Sequence, residues 1–350
     1  TPRALSTRNK ARRASTSNNM VRLGLIACSS IARRRFVPAL KSSTVARLER
    51  VGSRDPAKAE KFALEFGCAK SGTNEAVLAD AEVDAVYIST PIALHEQWAW
   101  QAAQHGKHIL CEKSSFRSHA AAREVLQLCA AKKLRFMEGF GFRHHPQHAL
   151  VRKLIAEGRI GAPRVFHGEL TYPRPPVGDF RLDSKLGGGV FYDGGGYPIA
   201  AALMIVPSTP VSVSGQLHFD GITGVDDTVA VTIFFAGNEV AQCVAGFGLQ
   251  YRARYSIIGT EGRIELERAY SVLPDAPSVV VVETKTGSER ITVPPADQFR
   301  LMIDDFANEI SSGKRERDFE GQALKQSGVM DAAWRSHHER RAIGLAEYFK

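Results

Sequence analysis

A chain of 350 residues is too long for one ordinary hydrophobic core and fits two domains. Apolar content of 44% and charged content of 24% are those of a globular protein. No apolar run approaches the roughly 18 residues of a membrane-crossing helix.

The formal charge of +9 is unevenly placed. Arg3, Arg8, Lys10, Arg12 and Arg13 sit in residues 1–20 with no acid, leaving 41 basic against 37 acidic residues beyond. No aromatic interleaving or helical groove-reader follows that stretch, so nucleic acid is not an expected partner. Residues 1–20 read as a disordered basic tail, with Met20 the expected start. The same Ser- and Arg-rich, acid-free composition also fits organelle targeting. Cys28, Cys68, Cys111, Cys129 and Cys243 are scattered and never form a C-x-x-C pair, the pattern of reduced thiols in a cytoplasmic protein.

The first strand spans 21–27. Cys28, Ser29, Ser30 and Ile31 then form a small-residue turn into a helix over 31–41. Strand, turn and helix are the first unit of a dinucleotide-binding fold, whose helix N-terminus receives a pyrophosphate. The G-x-G-x-x-G/A fingerprint would place glycine at 27 and 29, where this chain has Ala27 and Ser29, followed by the accepted Ala32. Each departure adds a small side chain where the backbone should lie close to phosphates.

A second strand at 45–53 ends in Ser53-Arg54-Asp55-Pro56. An acid at that strand end would bind the ribose 2′-hydroxyl of NAD, whereas an arginine suits the 2′-phosphate of NADP. Ser53 and Arg54 therefore favour NADP, with NAD as the alternative, while Asp55 caps a helix starting at Pro56. Strands at 84–89, 107–112 and 134–138 alternate with helical patterns near 56–66, 93–105 and 118–132, which predicts a parallel, doubly wound sheet. Thr90, Pro91, Leu94 and His95 follow the 84–89 strand at the carboxyl edge, where such sheets bind ligands. A capping or surface role is the other reading of His95.

The 107–112 strand delivers Glu112 and Lys113 to the same edge. Eighty residues later, a glycine-rich run at 187–197 sets Asp193 and Tyr197 four residues apart at a helix start, on one face. Lys113 and Tyr197 are the groups needed to move a proton to or from a sugar-like hydroxyl. Burial and a cationic cofactor would lower the lysine's pKa. Asp193 is expected chiefly to cap its helix.

After Gly139 the pattern changes. Helices are expected at 147–157, 193–205, 296–312 and 319–336, and strands at 163–171, 211–219, 227–235, 238–247, 253–259, 263–267 and 278–283. Short turns between most of these strands indicate an antiparallel sheet. Outward alternation of 229–235 would leave an apolar sheet face, which predicts a homodimer or homotetramer. His144, His145 and His148 invite a metal reading, but Pro146 breaks their spacing and no carboxylate or thiolate lies in the segment, so no metal is expected. His145, Arg143 and Arg181 are candidates for lining a substrate pocket. Arg252 and Arg254 are either further substrate contacts or strand-edge charges.

Four segments carry a family resemblance: Leu-Gly-Leu-Ile-Ala-Cys-Ser-Ser-Ile-Ala (23–32), Ser-Thr-Pro-Ile-Ala-Leu-His (89–95), Gly-Lys-His-Ile-Leu-Cys-Glu-Lys (106–113) and Leu-Gly-Gly-Gly-Val-Phe-Tyr-Asp-Gly-Gly-Gly-Tyr-Pro (186–198). From about residue 21 onward the chain resembles the Gfo/Idh/MocA oxidoreductases. Tyr197 in place of histidine, with Pro-Arg-Pro-Pro before Phe-Arg-Leu (173–182), resembles the branch of NDP-hexose 3-ketoreductases, NADP-xylose dehydrogenases and dihydrodiol dehydrogenases.

The resemblance implies a Rossmann domain over 21–140 and an α+β domain with a large, mostly antiparallel open sheet over 141–350, whose final helices are free to pack back on the first domain. It implies an NADP-dependent oxidoreductase acting on a sugar-like carbonyl or hydroxyl. Lys113, Tyr197 and Asp193 would be catalytic, and Cys28, Ser29, Ser30, Ile31, Ser53, Arg54, Thr90, Pro91, Leu94, His95, Glu112 and Lys113 would meet the cofactor. The family's Glu-Lys-Pro is here Glu112-Lys113-Ser114. A cis bond before a non-proline residue costs about 2.5–4 kcal/mol, so Lys113 is expected to be aimed less firmly than in the family. The alternative reading is a catalytically weak NADP- or sugar-binding regulator on the same fold. Ala27, Ser29 and Ser114 favour it; the retained Lys113 and Tyr197 oppose it.

Overall fold

The computed structural model describes residues 20–349. Apart from Met20, the expectation for the basic tail lies outside the described residues.

The first half forms one parallel sheet. Its strands are β1 (Val21–Ile26), β2 (Ala46–Gly52), β3 (Ser71–Gly72), β4 (Ala85–Ile88), β5 (His108–Cys111) and β6 (Phe136–Glu138), in the order β3-β2-β1-β4-β5-β6. Val21 to Ile26 pair with β2 and Leu23 to Ile26 also with β4, so the strand order reverses at β1 and opens a crevice at its carboxyl end. β4 is buried along its whole length, which explains its continuous Ala-Val-Tyr-Ile run. The crossover helices are α1 (Val37–Lys41), α2 (Pro56–Phe66), α3 (Asn74–Ala79), α4 (His95–Gln104) and α5 (His119–Ala131). Asp55 caps α2 as expected, accepting from the amides of Ala57 and Lys58. β3 and α3 were not anticipated, being too short to carry a periodic pattern.

The second half continues with α6 (Pro146–Ala156), β7 (Pro163–Tyr172), α7 (Gly196–Ile205), β8 (Pro210–Phe219), β9 (Asp226–Phe235), β10 (Val240–Phe247), β11 (Arg252–Gly259), β12 (Gly262–Leu266), β13 (Ser278–Thr284), β14 (Gly287–Val293), α8 (Gln298–Ser312), α9 (Phe319–Glu339) and β15 (Ile343–Gly344). Strands β7 to β15 make a nine-stranded sheet, ordered β14-β13-β12-β11-β7-β10-β9-β8-β15. Only the β7–β10 pair is parallel; every other pairing is antiparallel.

One expectation about this sheet needs correction. Val229, Val231, Ile233 and Phe235 point inward and are buried; the outward residues are Ala230, Thr232 and Phe234. The outer face is therefore mixed rather than uniformly apolar. Cover for the inner face also comes from the last helix, since Val329, Met330, Ala332 and Ala333 of α9 join the sheet's core.

The closing helices bind the two halves together. Phe299, Met302, Ile303 and Phe306 of α8 enter the core beneath β1 and β2. Arg135, at the start of β6, is buried and ion-paired with Glu309 of α8 and Glu320 of α9. Among the described residues, no helix is long and apolar enough to cross a membrane, and all five cysteines are free.

Candidate active site

At the carboxyl end of β1 the chain turns sharply. Ala27 adopts φ 74°, the left-handed conformation that glycine adopts without penalty, and this is why the fingerprint has glycine there. Its amide is held by Gly52 O and Asn74 Oδ1. Ser29 has been built into the turn. Its hydroxyl accepts from the Ala32 amide at 3.1 Å and donates to Ser89 Oγ at 2.8 Å, while Ser89 donates to Ala27 O.

The two departures from the fingerprint are therefore unlike. A left-handed non-glycine residue costs roughly 1–2 kcal/mol, partly offset by glycine's freedom in the unfolded chain. Ala27→Gly should stabilise the protein by about 1 kcal/mol, whereas Ser29→Gly should destabilise it through loss of the cap and its link to Ser89. Denaturant unfolding of the two single variants checks this; equal shifts in both would overturn it.

The helix opened by this turn begins at Ser30 and runs to Lys41, its segment Ala32–Phe36 wound as a π-helix. The amides of Cys28, Ser30 and Ile31 have no partner among the described residues, which suits an anion at a helix N-terminus. The Cys28 thiol itself turns inward toward Gly52 O, and burial pushes its pKa up to about 11. At the end of β2, Ser53 is buried, with its hydroxyl accepting from the Asp55 amide, while Arg54 is exposed and free of ion pairs among the described residues. Beyond β4, Thr90 Oγ1 is buried without a partner. Free amides, an orphaned hydroxyl and an exposed arginine along one sheet edge fit a dinucleotide with a 2′-phosphate.

His95 is neither a surface residue nor a side-chain cap. It is 1% exposed, with Nδ1 at 2.8 Å from Ser114 O and Nε2 at 2.8 Å from Thr90 O. It thus braces two strand-end segments against each other. Burial lowers its pKa to about 4, so the ring is neutral near pH 7 and its single N–H donates to one of these carbonyls while the other nitrogen only rests against its neighbour.

Lys113 follows β5, and its peptide bond to Ser114 is cis. The segment is held on all sides. Glu112 accepts from Tyr87 Oη at 2.5 Å, the Ser114 carbonyl meets His95, and the Ser114 hydroxyl donates to Tyr192 O at 2.8 Å. Gly196 allows this approach: a Cβ there would stand 3.1 Å from both Ser114 Oγ and Phe140 Cζ. Gly189 serves the same loop differently, with φ 106° and a position where any side chain would run into the Asp226 carboxylate.

The lysine ammonium donates to Asp193 O at 2.7 Å and Asp193 Oδ1 at 2.9 Å. Two of its three hydrogens are so fixed. Asp193 Oδ2 accepts from Tyr172 Oη and from Arg181 Nε, both at 2.7 Å. Asp193 is therefore the hub of a buried charge network rather than a helix cap, because its π-helical turn (Phe191–Gly195) has no side-chain cap hydrogen bond. Tyr197 lies alongside, with the Lys113 ammonium 5.0 Å from its ring centroid. Phe140 and Phe142 pack against that ring. Its hydroxyl has no hydrogen-bond partner among the described residues.

The electrostatics follow from this geometry. Burial alone would lower the Lys113 ammonium, but Asp193, Tyr197 and Glu112 outweigh it and hold its pKa above the ordinary value. This reverses the lowered pKa expected before Asp193 was known to be its partner. Burial works against the Asp193 carboxylate, yet Lys113 and Arg181 hold it well below the usual range. Burial raises Tyr197 despite the lysine beside it. Near neutral pH the site is an ammonium, a carboxylate and a neutral phenol.

Other candidates lie elsewhere. His145 caps α6, accepting from the Gln147 amide. His144 pairs with Asp305 and His148 with Tyr255. Arg143 stacks on Phe140 and lines a cavity with residues of α7 and α9. Arg254 pairs with Glu169, while Arg252 is exposed. Among the described residues, no group of three or more His, Cys, Asp or Glu is placed to hold a metal. Tyr172 was not anticipated. The tyrosine ending β7 became visible only when the sheet register and the 173–189 loop brought it to Asp193.

Residues 21–140 match the family described as "Oxidoreductase family, NAD-binding Rossmann fold", and residues 148–265 match the GFO/IDH/MocA C-terminal domain. The chain belongs to the Gfo/Idh/MocA oxidoreductase family. It is 34% identical over 295 residues to a dTDP-3,4-didehydro-2,6-dideoxy-alpha-D-glucose 3-reductase of Saccharopolyspora spinosa, covering 84% of this chain and 88% of that one. A D-xylose 1-dehydrogenase (NADP(+)) of Haloferax volcanii is 28% identical over 324 residues, covering 92% and 99%. A 3-ketoreductase from Actinomadura kijaniata, solved with NADP and TDP-benzene, superposes with a TM-score of 0.88 at 31% identity, covering 91% of this chain and 98% of its own. This Gfo/Idh/MocA chain thus has the two-part architecture of its relatives, a parallel Rossmann sheet followed by a large mixed sheet.

Proposed function

We propose that the protein is an NADP-dependent oxidoreductase that interconverts a sugar-like ketone or aldehyde and its alcohol. The observation that carries this reading is the Lys113–Asp193–Tyr197 arrangement at the carboxyl edge of the Rossmann sheet. A cofactor bound along that edge supplies the hydride.

The chain's own residues manage the proton. In reduction, the free Tyr197 hydroxyl donates to the oxygen that becomes an alkoxide. The third hydrogen of the Lys113 ammonium is directed at the same oxygen and stabilises its charge. Asp193 keeps Lys113 charged and aimed; Tyr172 and Arg181 keep Asp193 ionised and in place. In oxidation the same groups run backwards, with Tyr197 accepting the proton. Relatives named for a dTDP-linked dideoxy ketosugar and for xylose support a free or nucleotide-linked sugar substrate for this chain.

Cofactor choice should follow Arg54. A charge-assisted contact to a 2′-phosphate is worth roughly 1.5–3 kcal/mol. Arg54→Ala should weaken NADPH binding tenfold or more while leaving NADH binding nearly unchanged. Fluorescence titration with both cofactors tests this, and equal loss for the two would remove the basis for preferring NADP.

For assembly, we read the outer face of the nine-stranded sheet as the surface of a homodimer or homotetramer. Phe234, Val244 and Ile258 are exposed there, which favours self-association over a solvated sheet. Light scattering behind size exclusion should give at least a dimer. A stable monomer at micromolar concentration would rule that out.

A further inference from the structure

A cavity of about 340 Å³ lies between α6, α7 and the N-terminal turn of α9, and none of Lys113, Asp193 and Tyr197 lines it. Its lining combines the cations Arg143, Arg152, Arg317 and Lys325 with the apolar Leu203 and Met204 of α7. The charges are poorly balanced. Arg317 pairs with Asp305 at 3.0 Å. Arg143 meets Gln322 Oε1 at 3.4 Å and shares the field of buried Glu138. Arg152 and Lys325 have no ion pair among the described residues. The acid in the lining, Asp318, is committed to the Gly321 amide at 2.9 Å as the cap of α9.

Besides Arg317, which is paired, the three cations Arg143, Arg152 and Lys325 face one concavity and repel one another, and such a concavity concentrates the opposite charge. The 21 residues of α9 add a positive dipole end at the same place. Arginine forks match phosphate oxygens in pairs, while Leu203 and Met204 offer contact for an organic portion. We propose that this cavity binds a small organic phosphate, at a site separate from the Lys113 centre. It lies close to that centre all the same. The Arg143 guanidinium stands 4.9 Å from the Phe140 ring centroid, and that ring meets Tyr197 edge-on at 5.3 Å.

Phenyl phosphate is a suitable probe, titrated by calorimetry into full-length protein already saturated with NADPH so that the dinucleotide turn is filled. The expected result is one site per chain, weakened by added salt, with phenol alone giving no heat. Arg152→Ala/Lys325→Ala, which alters two exposed side chains, should weaken binding at least tenfold while leaving NADPH affinity unchanged. Lys153→Ala, on α6 but outside the cavity lining, should leave phenyl phosphate binding as in the parent. Equal affinity in the double variant, or no binding to the parent at millimolar probe, would overturn the proposal. Neither outcome would bear on the oxidoreductase reading, which rests on Lys113 and Tyr197.

Discussion

Asp193→Asn should cost more than any other single conservative change in the site, lowering both stability and turnover. The carboxylate is the shared partner of Lys113, Arg181 and Tyr172. An asparagine keeps the shape but leaves the largely buried Lys113 without its ion-pair partner, while the partly exposed Arg181 retains Asp179. Breaking a buried pair in this way typically costs about 3–5 kcal/mol. The sign of its pH dependence is fixed. A carboxyl held below its ordinary value stabilises the fold above that ordinary value, and this contribution is lost as pH falls through the folded-state value. The parent should therefore lose stability on acidification through Asp193, and the variant should lack that component. Lys113 should also respond, because burial would now act on it with less opposition. The alkaline limb of the reduction rate should move to lower pH in Asp193→Asn. Unfolding midpoints across pH, together with a pH–rate profile, measure both effects. An unshifted alkaline limb would mean that Asp193 serves packing alone.

Tyr197→Phe and Lys113→Ala should each reduce kcat by a factor on the order of 10²–10⁴, the usual contribution of a positioned proton donor. Phenylalanine preserves the ring that packs on Phe140 and Phe142, so stability should hardly change. Cofactor affinity should survive Tyr197→Phe, because the hydroxyl bonds nothing in the protein. Lys113→Ala removes the partner of Asp193 as well and should be less stable than Tyr197→Phe. Stopped-flow turnover and NADPH binding on the same preparations separate these effects. If Tyr197→Phe kept full kcat, Lys113 would be the proton donor and the tyrosine a positioning residue.

The parallel sheet was legible because its strands are buried on both faces and read as apolar runs between amphipathic helices. Asp55 capping α2 was legible because a cap is local. Longer-range consequences were not. The bonding of Asp193 depends on Arg181 and Tyr172, brought in by a loop and a strand end from elsewhere in the chain. Without them a helix cap was the natural reading, and Lys113 was left without the partner that raises its pKa. The inward face of 229–235 could not be chosen either, since both alternating sets contain apolar residues and the register is set by β8 and β10. Ser29 had looked like a lapse in the phosphate turn. The structure gives it a cap and a bridge to Ser89, which weakens the case for a decayed, purely regulatory protein.

The reading of this chain as a working reductase turns on whether hydride reaches a sugar-like carbonyl. Incubation with NADPH deuterated at nicotinamide C4 and a panel of keto- and aldosugars, free and nucleotide-linked, followed by mass spectrometry of the products, measures this directly. One deuterium on the former carbonyl carbon of at least one substrate is expected, with near loss of transfer in Tyr197→Phe. Tight NADPH binding with no deuterium in any product across the panel would contradict the reductase reading and favour a sensor built on the same fold.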